Sequence, residues 1–107
     1  MTSDPQKAYD AVVSEMVATS PSKSGKMFGM PCLKNSNGKA FAGYTDGAMV
    51  FKLGGAIHTE ALALSDAKLF DPMGGRPMKE WVVIPVEHST RWLEFARDAF
   101  DYVTGKM

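Results

Sequence analysis

One cysteine, Cys32, stands in a chain of 107 residues. No internal disulfide can form, which argues against a secreted scaffold held together by staples. Net charge is missing too, because Lys plus Arg and Asp plus Glu stand at 12 each. The field of the whole molecule therefore draws toward neither nucleic acid nor anionic lipid. No apolar run approaches the roughly 20 residues that span a bilayer. The opening MTSDPQKAYD lacks the basic-then-apolar pattern of a signal peptide. There is no C-x-x-C, H-x-x-x-H or His-rich tract, so the common zinc signatures are absent. The expectation is a soluble domain of the cytoplasm, spanning 1–107 as one unit.

What is present reads as alternating helix and strand. Ser3-Asp4-Pro5-Gln6 has the form of a capping box with Ser3 as the cap. Tyr9, Val12, Val13 and Met16 follow at helical spacing, predicting a helix to about Ala18. Thr19-Ser20-Pro21-Ser22 ends it. Lys26 to Lys34 reads as one extended strand, and Pro31, which has no N–H to give a ladder, makes it an edge or a bulged strand. Asn35-Ser36-Asn37-Gly38 supplies a turn into a strand over Lys39–Tyr44. Asp46-Gly47 is a two-residue hairpin signal, followed by a half-buried strand through Met49, Phe51 and Leu53. Ile57–Leu64 predicts a short helix. Lys68–Phe70 and Trp81–Ile84 read as strands, and a helix from Ser89 to Val103 carries the stripe Trp92, Phe95, Ala96, Ala99, Phe100 and Val103. Neighbouring strands joined by short turns imply an antiparallel sheet: α+β, two layers, helices packed on the sheet, order α-β-β-β-α-β-β-α.

Between the last two strands lies DPMGGRPMKEW, residues 71 to 81. A phosphate loop needs glycines opening onto a helix N-terminus, with Lys and Ser or Thr in set positions. Here no G-K-[ST] follows and a strand comes next, so the stretch reads as a hairpin connection with Met packed over the sheet.

Candidates for chemistry are few. Cys32 with His58 or His88 could make a thiol–imidazole pair, but a small thiol in an apolar strand is ordinarily a core residue. The same three residues lack metal-ligand spacing. The two histidines read as solvated or capping groups. No enzyme activity and no cofactor are expected. Charge is distributed unevenly, however. From Met16 to Thr45 the chain carries Lys23, Lys26, Lys34 and Lys39 and no acid. Together with Lys52, Arg76 and Lys79 these are the candidate contacts for nucleic acid or another anion. The ordinary reading of the same lysines is a solvated face.

Lys26-Met27-Phe28-Gly29, the hairpin Gly38-Lys39-Ala40-Phe41-Ala42 and Met49-Val50-Phe51-Lys52-Leu53 occur in an order that resembles the N-terminal domain of the bacterial TfoX/Sxy family. Phe70-Asp71-Pro72 and Gly75-Arg76-Pro77-Met78-Lys79-Glu80-Trp81, then Pro85 and a Trp/Ala/Phe helix, look like its short members. The resemblance runs from the first helix to about Tyr102. It implies a secretion-chaperone-like fold and a regulatory, non-enzymatic role without catalytic residues. Phe28, Gly29, Gly75, Pro77 and Trp81 are then turn and packing positions. Name-giving members carry a second, helical domain, and this sequence reads as a single-domain member. The functional expectation is an adaptor that contacts another protein, or a second copy of itself, through a sheet edge and adaptable methionines. The alternatives are weak DNA binding through the Lys23–Lys39 segment, and an anion site or enzyme cleft between the meander and Gly74-Gly75, with Arg76 and Lys79 as contacts.

Overall fold

The computed structural model describes residues 4–27, 29–45, 47–71, 75 and 78–105. In chain order these form α1 (Pro5–Thr19), β1 (Ser22–Met27), β2 (Met30–Asn35), β3 (Ala40–Thr45), β4 (Ala48–Lys52), α2 (Gly55–Leu62), β5 (Lys68–Phe70), β6 (Met78–Pro85), a 3-10 turn (Val86–Arg91) and α3 (Trp92–Gly105). The fold is α+β: a six-strand antiparallel sheet, order β1-β2-β3-β4-β6-β5, with three helices packed on it. None of its helices is long and apolar enough to cross a membrane.

One strand more is present than the residue pattern predicts. The stretch from Lys26 to Lys34 is not one strand but the middle of a hairpin, with Met27 opposite Met30. Gly29, just before Met30, takes φ +76°, which a tight hairpin turn requires and glycine adopts without a Cβ clash. Phe28 lies outside the described residues. Pro31 is consequently not on an edge strand: β1 lies outside β2 and pairs Lys26 with Pro31. The paired β2–β3 register begins one residue later, at Cys32 opposite Gly43, so the missing N–H of Pro31 interrupts no rung there.

A bulge does occur, but its extra residue lies on β3 rather than on the strand that holds Pro31. Leu33 opposes Ala42 and Lys34 opposes Ala40, leaving Phe41 as the additional residue of β3. A bulge breaks the two-residue alternation. Hence the consecutive Phe41 and Ala42 are both fully buried in the helix-side core, where Phe41 meets Phe100 edge-on at 5.4 Å.

Asp4, rather than Ser3, caps α1: its Oδ1 accepts from the backbone N–H of Gln6 at 3.0 Å and of Lys7 at 3.4 Å. Ser3 lies outside the described residues. Gln6 does not reach back but donates forward to Asp10 at 3.0 Å. At the other end the hydroxyls of Thr19 and Ser20 donate to the carbonyls of Glu15 and Met16, satisfying orphan acceptors before the chain turns into β1. The final helix starts later than its pattern suggests. Pro85 leads into the 3-10 turn, His88 within it is non-helical, and α3 proper begins at Trp92. Trp92, Phe95, Ala96, Ala99 and Val103 are all buried against the sheet, and Trp92 Nε1 donates to the Ile84 carbonyl at 3.2 Å. Tyr102 packs its ring on Gly54, where a Cβ would lie 2.3 Å from Cε1. That position therefore needs glycine, and it fixes where β4 hands over to α2.

The other face of the sheet has its own buried cluster, drawn from strand residues alone: Met30, Val50, Phe70 and Trp81, with Ala40, Met78 and Val83 against them.

Candidate functional site

β5 and β6 pair antiparallel on either side of residues 71–77, as the hairpin reading of DPMGGRPMKEW expects. Asp71 Oδ2 accepts from Gly75 N at 2.8 Å. Pro72, Met73, Gly74, Arg76 and Pro77 lie outside the described residues. The anion cleft expected at Gly74-Gly75 therefore cannot be placed on them.

Cys32 is fully buried on β2, and its ladder neighbours are Gly25 and Gly43 rather than a histidine. Burial pushes its thiol up, against a lowering by Lys34. A buried thiol so held is a poor source of thiolate. Tyr9, stacked on Tyr44 at 5.1 Å, is pushed up to about 12, chiefly by burial and then by Cys32 and Asp10. Its buried hydroxyl has no hydrogen-bond partner among the described residues.

His58 sits within α2, where Nε2 lies 2.6 Å from the carbonyl of Lys79. His88 enters a constellation that spacing gave no sign of. Its Nε2 is 2.9 Å from the carbonyl of Ser65 and 3.3 Å from Ser65 Oγ, and Ser65 Oγ donates to Glu87 Oε2 at 3.0 Å. Ser, His and Glu side by side suggest a hydrolase. The protons point the wrong way, however. A carbonyl only accepts, so Nε2 is the donor to Ser65, and the hydroxyl proton is committed to Glu87. A general base must instead accept from the serine, with the acid on the far ring nitrogen. The cluster ties the turn after α2 to the 3-10 turn. Among the described residues no group of His, Cys, Asp and Glu could hold a metal.

A groove of about 500 Å³ runs between α1 and α3, lined by Met16, Thr19, Ser20, Pro21, Arg97, Phe100 and Asp101. Three of its polar residues already have internal partners. Thr19 and Ser20 bond backbone carbonyls, and Arg97 donates to Glu15 at 3.4 Å. It offers no convergent set of free polar atoms to orient a small molecule.

The sequence-predicted lysines form the more informative arrangement. Lys23 is second in β1, Lys34 next to last in β2, Lys39 follows in the turn, Lys52 closes β4 and Lys79 is second in β6. In antiparallel strands these positions fall at one end of the sheet. They extend from β1 to β6, four strand spacings or roughly 19 Å. Lys23 and Lys34 are direct cross-strand partners. Leu33 and Phe51 belong to the helix-side core, so by alternation Lys34, its partner Lys23, and Lys52 project from the opposite, helix-free face. Lys26 stands apart, at the far end of β1. The turn bearing Lys39 is pinned by buried Asn35, whose Oδ1 accepts from Asn37 N and Lys39 N at 3.0 Å each, and whose Nδ2 donates to Thr104 on α3. The stem of Lys34 lies over Gly25, leaning away from Lys23.

No lysine takes part in an ion pair among the described residues; the pairs there involve Arg91, Arg97 and His88. Charge is thus sorted by layer. The strands hold Lys23, Lys26, Lys34, Lys52, Lys68 and Lys79 against one acid, Glu80, which accepts from the Tyr102 hydroxyl on α3. The helices and the 3-10 turn hold Asp10, Glu15, Glu60, Glu87, Glu94, Asp98 and Asp101 against Lys7, Arg91 and Arg97. The neutral total conceals a basic layer and an acidic one.

Fold and surface together describe a two-layer α+β protein with a lysine-bearing sheet edge and end. No protein-family model, curated protein or solved structure matches this chain.

Proposed function

We propose that the chain is a non-enzymatic regulatory or adaptor module of the TfoX N-terminal type, working in the bacterial cytoplasm through contacts with another protein. The observation that supports this reading is the sorting of charge. Among the described residues six strand lysines lack ion partners, and Lys23 is the cross-strand partner of Lys34 on β1 and β2 with no described acid beside them. Like charges directly opposite one another destabilise a sheet. An arrangement that costs stability in the free protein is accounted for by an anionic surface that docks there. β1 offers the backbone for it, since this strand pairs on one side only.

A second reading, weak DNA binding, is favoured by one specific observation: Lys23, Lys34, Lys39, Lys52 and Lys79 gather at one end of the sheet. Such a contact would read phosphates alone, because Trp81 and Phe70 are each 7% exposed and offer bases no free ring face.

Lysine acetylation footprinting in an extract of the producing cells separates the two. The expected result is protection of Lys23, Lys26 and Lys34 that survives nuclease and disappears after protease. Protection lost to nuclease would transfer the reading to nucleic acid. Uniform labelling of all lysines would remove both.

A further inference from the structure

Resting on the reading that the partner is a protein, we infer that the segment it contributes is an extended acidic strand, added alongside β1 as a seventh strand of the sheet. β1 ends the strand order and pairs only with β2, over six residues. An edge strand turns the N–H and C=O groups of alternate residues outward, ready for a ladder. Lys23, Ser24 and Lys26 along it are exposed. The opposite edge, β5, has three residues and gives an incoming strand little to hold.

Side-chain chemistry selects the occupant. Lys23 projects from the helix-free face and Lys26, three residues on, from the other. A strand laid beside β1 therefore meets an ammonium on each of its faces. Lys34 stands immediately behind Lys23 and adds to the first. A carboxylate placed beside Lys23 relieves the Lys23–Lys34 repulsion, which no group among the described residues does. The same lysines count against a second copy of this chain: antiparallel pairing of β1 with another β1 in full overlap sets Lys23 against Lys26. Lysines on an edge ordinarily serve to block indiscriminate strand pairing. An acidic strand is the class they admit, so the edge rejects and selects with the same residues.

The test is fluorescence anisotropy with a labelled peptide of about eight residues, a usual strand length, built from Thr-Glu-Glu repeats so that carboxylates lie on both of its faces. The full chain is titrated against it at low and at physiological salt. The plain peptide is expected to bind in the micromolar range and to weaken as salt rises. Methylating alternate backbone nitrogens of the peptide, or replacing its Glu by Lys, should each weaken binding at least about tenfold. The double variant Lys23→Glu, Lys26→Glu should do the same, while Lys68→Glu on the far edge leaves the affinity unchanged. If the double variant does not fold, the methylated peptide still decides. Equal binding of plain and methylated peptides would overturn strand addition in favour of charge alone. Absence of peptide binding alongside protease-sensitive protection of these lysines would overturn the acidic strand and leave the protein-partner reading standing. Absence of both would remove the reading on which this inference rests.

Discussion

On the helix side Arg91 holds Glu60 at 3.2 Å and Glu94 at 3.0 Å and lies 4.8 Å from the centre of the Phe95 ring. On the sheet side Lys23 and Lys34 are cross-strand partners, and no carboxylate among the described residues pairs with either. The first arrangement is self-sufficient: cation, anions and ring are all supplied by this chain. The guanidinium holds Glu94 below the usual carboxylate range through their hydrogen bond. The second leaves its electrostatics open. Both layers are crowded with one sign of charge, yet among the described residues the ion pairs all belong to the helices and the 3-10 turn. That difference, and not the total charge, is what points to a working surface.

The comparison breaks most violently in the core that joins the layers. Trp92 is fully buried between α3 and the sheet and hydrogen-bonded to Ile84. Trp92→Ala should cost about 3–5 kcal/mol, read as the unfolding free energy in urea, and should loosen both layers together. A smaller effect separates them. Asp98 is held above the ordinary carboxylate range by burial, then by repulsion from Glu94, Asp101 and Glu60, against a lowering by Arg91. A carboxyl raised in the folded state favours folding while protonated and loses that advantage as pH rises through its folded value. Asp98→Asn should therefore be more stable than the parent at neutral pH, by up to about 1 kcal/mol after solvent screening. Melting curves should converge as pH falls below the ordinary Asp value of about 3.9. A gap that stays constant with pH would mean that the acidic layer does not repel itself.

The periodic elements were legible because burial imposes the period: Tyr9, Val12 and Met16 on α1, the stripe on α3, Met49 and Phe51 on β4. β1 was illegible for the opposite reason. Ser22-Lys23-Ser24-Gly25 has no apolar alternation, since this strand is held by backbone pairing to β2 and has little to bury. Gly29 is preceded in the sequence by Phe rather than Asn or Asp, so the hairpin left no dipeptide signal. The acid-free run containing Lys23, Lys26, Lys34 and Lys39 was visible as composition. That Lys52 and Lys79 join the same end of the sheet, while Lys26 leaves it, depends on strand order. Neutral net charge counted against a polyanion because a sum over the chain discards which layer each charge belongs to. Ser65 and His88 lie 23 residues apart, and no spacing rule connects them.

The measurement that bears most directly on the lysine edge is the thermal melt of Lys23→Glu beside that of the parent, at low and at high salt. Reversing this charge turns a repulsive cross-strand pair into an attractive one, worth about 0.2–1 kcal/mol, or a rise of roughly 1–5 °C in Tm. The gain should shrink as salt screens it. Such a result would show that the parent keeps Lys23 at a cost to its own stability. A variant that melts at or below the parent temperature in low salt would contradict that account, and the lysines would then be an ordinary solvated face.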